Sequence, residues 1–197
     1  MSKPIFSIIA PIYNEVDNLP VLYSRVSEVM NGTEEAWELI LVDDGSKDGS
    51  NEVIRKLASA DERVRPVIFA RNFGHQIAVT AGLDYSRGDA VIIIDADLQD
   101  PPEVIHDLIA KWREGYDIVC AQRTARHEES AFKRASAYLF SRIMTVLVGW
   151  NLPADTGNFR LMNRAAVEAF FGRRGDDDPS ATHAPPRRSA TPAAGAR

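Results

Sequence analysis

The strongest chemical signal in the sequence is a pair of aspartates, Asp95 and Asp97, directly after an apolar run at residues 91–94. In open α/β sheets, ligands bind just beyond the carboxyl ends of the strands. Two carboxylates separated by one residue offer hard oxygen ligands to a divalent cation. Substrate phosphates and water then complete the coordination shell of that cation. The same pattern would suit a solvated acidic turn before a helix. Its position after a buried strand, with Gln99 and two prolines following, favours metal binding.

Two further polar loops follow earlier apolar runs and are expected at the same edge of the sheet. They cover residues 11–15 and 43–50, and the second holds two glycines that permit tight turns. We expect Tyr13 to contact a base or ribose, and Glu15 and Asp44 to accept hydrogen bonds from ribose hydroxyls or base N–H groups. Each loop alone is a weak signal. Their convergence with the acidic pair predicts a nucleotide-binding edge.

The elements that must position these loops alternate along the chain as short apolar runs and helical patterns. Such runs, rich in β-branched residues, are typical of strands in a parallel sheet buried on both faces. The predicted strands lie at residues 6–10, 39–42, 67–70, 91–94, 118–121 and 159–162, and the last predicted helix covers 164–171. This alternation predicts an α/β fold with a mostly parallel central sheet flanked by helices.

Bulk properties exclude several classes of protein. Lysine and arginine total 23 against 28 acidic residues, a net charge of −5, whereas nucleic-acid-binding domains usually present a basic face. The single cysteine, Cys120, excludes an internal disulfide and fits a reducing compartment. No apolar run approaches the ~18 residues that a membrane span requires, so we expect a chain that does not cross a membrane.

One folded domain is predicted over residues 1–171, and a segment of different composition follows. Residues 172–197 contain no Val, Ile, Leu, Met, Phe, Trp, Tyr or Cys. Such a segment buries too little apolar surface to offset chain entropy, so it is predicted to be disordered. Its abrupt onset inside a helical pattern suggests a truncated or frame-shifted end. The apolar helical stretch at 138–150 suits either packing against the sheet or contact with a lipid surface.

Four strings resemble a known family. PIYNE, VDDGSKDGS, DADLQDPPE and DTGNFRL, in this order and spacing, resemble the family 2 inverting glycosyltransferases of GT-A fold. They are most similar to the branch that contains dolichol-phosphate mannosyltransferases and bactoprenol glucosyltransferases. The resemblance covers about residues 4–171, and DADLQDPPE is its most specific string.

The resemblance implies roles for individual residues. Those implied around the nucleoside are Pro11, Tyr13, Glu15, Val42 and Asp44. Those implied at the diphosphate and at a Mg²⁺ or Mn²⁺ ion are Asp95, Ala96 and Asp97, with Gln99 as a further metal ligand and Arg123 reaching the nucleotide-sugar. Asp155, together with Asp97, stands where the family has its catalytic carboxylates.

The implied reaction transfers a hexose from a UDP- or GDP-sugar to a polyprenyl phosphate, undecaprenyl or dolichyl, with inversion. A phosphate monoester is already anionic at neutral pH, so it needs positive charge to hold it more than it needs a base. Arg126, Lys133 and Arg134 are the candidates for that role. They would equally suit a solvated helix face paired with Glu128 and Glu129.

Two other functions stay open on the sequence. One keeps the fold but transfers the sugar to a saccharide hydroxyl, which requires Asp155 as a true base. The other is an inactive nucleotide-binding fragment, motivated by the polar C-terminal segment. We expect the chain in the cytoplasm, at the cytoplasmic face of a membrane, and a homo-oligomer is compatible with the sequence. The sequence does not distinguish among donor sugars or between Mg²⁺ and Mn²⁺.

Overall fold

The computed structural model describes residues 3–122, 156–171 and 189–190. Seven strands form one sheet in the order β3-β2-β1-β4-β6-β5-β7. They are β1 (Phe6–Ile12), β2 (Trp37–Asp43), β3 (Val64–Ile68), β4 (Ala90–Ile93), β5 (Ile118–Gln122), β6 (Thr156–Asn163) and β7 (Ser189–Ala190). The pairs among β1 to β4 are parallel, and β7 is parallel to β5, whereas β6 runs antiparallel to both of its neighbours. The predicted mostly parallel sheet is confirmed.

Helices cover both faces of this sheet. They are α1 (Leu19–Asn31), α2 (Ser50–Ala60), α3 (His75–Tyr85), α4 (Ile105–Arg113) and α5 (Arg164–Phe171), with a 3₁₀ turn at Pro102–Val104 before α4. Because successive side chains of a strand point to opposite faces, each central strand feeds two separate cores. On β1, Ile8 and Ala10 pack with α1, α2 and α4, whereas Ile9 packs with α3 and α5. This two-sided burial holds the strand ends in fixed positions.

Two elements differ from the sequence-based expectation. β3 begins at Val64, three residues before the predicted start at 67, because the ladder with β2 runs through Arg65 and Pro66. β3 is the terminal strand of the sheet, and edge strands tolerate a proline. The pair Ser189–Ala190 adds a strand inside the segment predicted to be disordered. Such pairing uses the free backbone edge of β5 and needs no apolar side chains.

Among the residues that the structure describes, no helix combines the length and apolarity that crossing a bilayer requires.

Candidate functional site: a cavity at the carboxyl ends of the strands

The loops after β1, β2, β3 and β4 meet at the carboxyl edge of the sheet. The parallel pairing aligns Ile12 of β1 with Asp43 of β2, so the polar loops that follow these strands emerge side by side. Together they enclose a cavity of about 330 Å³. Its lining residues are Pro11, Ile12, Tyr13, Glu15, Asp44, Asn72, His75, Ala78, Asp95, Ala96 and Asp97.

The first two loops are joined by reciprocal hydrogen bonds. The Asn14 N–H donates to Ser46 Oγ at 2.9 Å, and the Lys47 N–H donates back to Asn14 Oδ1 at 2.9 Å. The Glu15 N–H donates to Ser50 Oγ at 3.0 Å. Ser50 is the first residue of α2, with Gly49 at the N-cap position. These bonds hold the backbone of residues 13–15 against the start of α2 and leave the Tyr13 ring exposed beside the cavity.

Asp44 joins the third loop to the first two. Its carboxylate is only 3% exposed, and its Oδ1 and Oδ2 accept the backbone N–H groups of Phe73 at 2.7 Å and Gly74 at 2.9 Å. Gly45 adopts a φ of +73°, and a Cβ there would lie 2.4 Å from the carbonyl carbon of Arg71. Only glycine allows this approach. The loop before α3 is therefore held at the cavity by both contacts.

The acidic pair forms the opposite wall. Asp95 is half-buried, with 20% of its side chain exposed, and its Oδ1 lies 3.8 Å from Nε2 of His75. Asp97 is exposed, and its Oδ1 accepts the Gln99 N–H at 3.0 Å, which closes a tight turn after β4. The turn directs the two carboxylates toward the same cavity.

The charge of the cavity wall determines what it can bind. Among the described lining residues, four are carboxylates (Glu15, Asp44, Asp95, Asp97) and none is lysine or arginine. The described part of the chain contains no cluster of three His, Cys, Asp or Glu residues able to hold a metal alone. Mg²⁺ is typically held by one or two carboxylates plus substrate phosphates, so Asp95 and Asp97 fit a cation that arrives with a phosphate ligand.

The structure brings together most of the sequence-predicted site. Seven of those residues line this cavity: Pro11, Tyr13, Glu15, Asp44, Asp95, Ala96 and Asp97. Val42 does not, because its side chain is fully buried in the core beside α3. Gln99 is exposed and is not among the lining residues. Five predicted site residues lie outside the described residues, namely Arg123, Arg126, Lys133, Arg134 and Asp155, as does the apolar stretch at 138–150.

The sequence assigned no role to four lining residues, Ile12, Asn72, His75 and Ala78, of which the last three follow β3. Asn72 lies in the loop between β3 and α3, His75 is the first residue of α3, and Ala78 lies in its first turn. The signal available in the sequence was their position after the third strand of the sheet. Loops that follow parallel strands share one edge, so this loop belonged with the other three.

A comparison with known proteins identifies the family. The model of "Glycosyl transferase family 2" matches residues 7–171. The chain belongs to this family. An uncharacterized glycosyltransferase YkcC of Bacillus subtilis (strain 168) is 50% identical to this family 2 chain over 169 residues, or 85% of the chain and 52% of the relative. A bactoprenol glucosyl transferase of Shigella phage SfV is 42% identical over 162 residues, or 82% of the chain and 53% of the relative.

Solved structures agree on the fold. A crystal structure of glucosyl-3-phosphoglycerate synthase from Mycobacterium tuberculosis in complex with Mn²⁺, uridine diphosphate and phosphoglyceric acid superposes with a TM-score of 0.62. The alignment covers 95% of this chain and 68% of that one, at 18% identity, which shows the GT-A fold alone. The family 2 chain spans about half the length of the curated relatives it matches.

Proposed function

We propose that the chain carries the nucleotide-sugar site of a metal-dependent glycosyltransferase, which transfers a hexose from a UDP- or GDP-sugar to a polyprenyl phosphate with inversion. The observation that carries the proposal is the meeting of the Asp95–Asp97 pair with residues 11–15 and Asp44 around one cavity. The named relative that acts on bactoprenol favours a lipid phosphate over a saccharide hydroxyl as acceptor.

The donor side of the proposal follows from the shape and polarity of the cavity. The exposed ring of Tyr13 offers a flat apolar surface on which a base or ribose packs. Glu15 and Asp44 present oxygens that accept hydrogen bonds from ribose hydroxyls or base N–H groups. Oxygens of Asp44 that already accept backbone N–H groups retain further lone pairs for this purpose.

Charge explains why the donor would need a cation. A diphosphate entering a wall of four carboxylates is repelled unless positive charge stands between them. Asp95 and Asp97 are the residues that would hold Mg²⁺ or Mn²⁺ there, with Gln99 as an additional oxygen ligand carried over from the family resemblance. When bound, such an ion neutralises the charge that develops on the leaving diphosphate.

The transfer itself exchanges one C–O bond for another. An oxygen of the polyprenyl phosphate forms a bond to the anomeric carbon from the face opposite the leaving group. The bond between that carbon and the diphosphate breaks, and the nucleoside diphosphate leaves with the electron pair. The acceptor side rests on the sequence: Arg123 for the nucleotide-sugar, Arg126, Lys133 and Arg134 for the acceptor phosphate, and Asp155 near the acceptor. A lipid acceptor would place the protein at the cytoplasmic face of a membrane.

The direct test is a transfer assay. The chain is incubated with radiolabelled UDP-glucose or GDP-mannose, MnCl₂ or MgCl₂, and undecaprenyl phosphate in detergent, and the organic phase is analysed for labelled lipid. We expect metal-dependent labelling of the lipid, and none when EDTA is added. Labelling of an added oligosaccharide instead of the lipid would reject the acceptor, and failure to bind either nucleotide would reject the donor site.

A further inference from the structure

We infer that His75 is a donor-binding residue, which donates a hydrogen bond to the diphosphate of the nucleotide-sugar, and that Asp44 is the positioning residue that holds it there. This inference rests on the proposed function and extends it to a loop that no sequence motif assigned. It concerns the arm formed by residues 72–75, which leads from the loop after β3 into the first residue of α3.

The position of His75 in the cavity is the first step. Its Nε2 lies 3.8 Å from Oδ1 of Asp95, so the imidazole stands on the side of the cavity occupied by the acidic pair. Among the described lining residues, three side chains carry a hydrogen-bond donor: His75, Asn72 and Tyr13. Any phosphate oxygen that approaches Asp95 therefore comes within reach of the imidazole.

The way in which the arm is held is the second step. Residues 72–74 lead into α3, and Gly74 at its N-cap position adopts a φ of +101°, a region that disfavours other residues. The buried Asp44 carboxylate accepts the N–H groups of Phe73 and Gly74, the two residues directly before His75. Charge-assisted bonds of this kind are about twice as strong as neutral ones, so Asp44 determines where the imidazole stands.

The location of the arm predicts a selective effect on ligands. A contact to the diphosphate of the donor contributes to binding of nucleoside diphosphates but contributes little to monophosphates, which lack the second phosphate. The ratio of the two affinities is therefore the specific readout. A loss of general folding or of base recognition would lower both affinities together and leave the ratio unchanged.

The experiment measures binding of UDP, UMP, GDP and GMP to the full chain by calorimetry in excess MnCl₂. We expect His75→Ala to weaken binding of the preferred diphosphate roughly tenfold, the value of one hydrogen bond to a charged group, while the matching monophosphate changes less than about twofold. His75→Gln, which keeps an N–H donor, should recover part of the loss. His106→Ala on α4, an exposed histidine that does not line the cavity, is the matched control.

Asp44→Asn tests the positioning role. It replaces one of the two acceptor oxygens with an amide NH₂, so one backbone N–H of the arm loses its partner. We expect the ratio of diphosphate to monophosphate affinity to fall in Asp44→Asn, and to fall no further when His75→Ala is added, because coupled residues give non-additive effects. Additive effects would overturn the positioning role of Asp44.

The two proposals fail in different ways. If the wild-type chain binds no nucleotide, the donor site itself is wrong and the role of His75 falls with it. If the wild type binds a diphosphate and His75→Ala binds it equally well, or loses diphosphate and monophosphate affinity in parallel, only the role of His75 is rejected.

Discussion

The two ends of the sheet both gather charged side chains, but they use them differently. At the amino ends of the strands, Glu38 is 2% exposed and accepts hydrogen bonds from Ser7 Oγ at 2.7 Å, from the Arg87 backbone at 2.9 Å and from Arg65 Nη1 at 3.0 Å. At the carboxyl ends, four carboxylates face a cavity whose described lining contains no lysine or arginine. At the amino end, arginine guanidinium groups pair with the buried carboxylate, whereas the described lining of the cavity at the carboxyl ends supplies neither lysine nor arginine.

The cavity at the amino end makes the contrast sharper. It has a volume of about 390 Å³, similar to the 330 Å³ of the cavity at the carboxyl ends, and it too is lined by charged residues. Its arginines, however, are already engaged: Arg63 pairs with Asp61 and lies 4.3 Å over the ring of Trp37, and Arg87 pairs with Glu38. Volume therefore does not distinguish the two cavities. The arginines that line the one at the amino end, and that the described lining of the other lacks, do distinguish them.

The largest expected effect is on nucleotide affinity, at the carboxyl ends of the strands. Asp97→Asn removes one of the two carboxylates proposed to hold the cation and keeps the side-chain shape. We expect metal-dependent nucleotide affinity to fall on the order of 100-fold, about 3 kcal/mol, with little change in the free energy of unfolding. Calorimetry with and without MnCl₂, together with urea unfolding, measures both quantities.

Asp84→Asn is the matched control, because Asp84 is an exposed aspartate of α3 that does not line the cavity. It should change neither affinity nor stability. Unchanged metal-dependent binding in Asp97→Asn would contradict the assignment of the acidic pair.

The reverse pattern is expected at the amino end, where Glu38→Gln should lower stability and leave nucleotide binding intact. Burial raises the pKa of Glu38, but hydrogen bonds from Ser7, Arg87 and Arg65 outweigh it and hold the pKa below its ordinary value. The glutamine removes the anionic partner of two arginines. Because these arginines are partly exposed, we expect a loss of about 2–3 kcal/mol, toward the low end for a broken buried pair.

Urea unfolding measures this loss, and Glu103→Gln is the control. Glu103 pairs with Arg25 at 2.6 Å but is 55% exposed, so its removal should cost less than about 1 kcal/mol. If Glu38→Gln weakened nucleotide binding as strongly as Asp97→Asn, the two ends of the sheet would not be independent.

The residues that line the cavity at the carboxyl ends of the strands could be predicted from the sequence better than the ion pairs at the amino ends. Each of the loops that follow β1, β2 and β4 could be recognised because it comes directly after an apolar run. That these loops share one edge follows from the parallel arrangement of the strands. The sequence places the segment before α3 at this edge. The position of the His75 side chain beside Asp95 could not be predicted, because it depends on the hydrogen bonds that Asp44 accepts from that segment. Neither could Glu38, whose burial depends on arginines from two distant segments.

Val42, which the resemblance implies around the nucleoside, does not line the cavity, and the reason lies in the strand that carries it. A strand buried on both faces has no alternation of polar and apolar residues, so the sequence does not reveal which way a given side chain points. β2 is buried along its whole length, and the side chain of Val42 points into the core. The boundary of β3 was misplaced for a related cause, since Arg65 and Pro66 interrupt the apolar pattern of an edge strand.

The smallest expected effect concerns the pH dependence of the amino end. Hydrogen bonds from the Arg63 guanidinium lower the pKa of Asp61 to about 2, against an ordinary value of 3.8. A carboxyl with a lowered pKa in the folded state stabilises it above the unfolded value, and this contribution is lost as the pH falls from about 4 to 2. Because Arg63 is 38% exposed and screened by solvent, we expect about 1–2 kcal/mol.

Urea unfolding of the wild type and of Asp61→Asn at several pH values between 7 and 2.5 measures this contribution. The stability difference between the two should be constant above pH 5 and should narrow as the pH falls below 4. A difference that stays the same down to pH 2.5 would contradict an electrostatic contribution of the Asp61–Arg63 pair to stability.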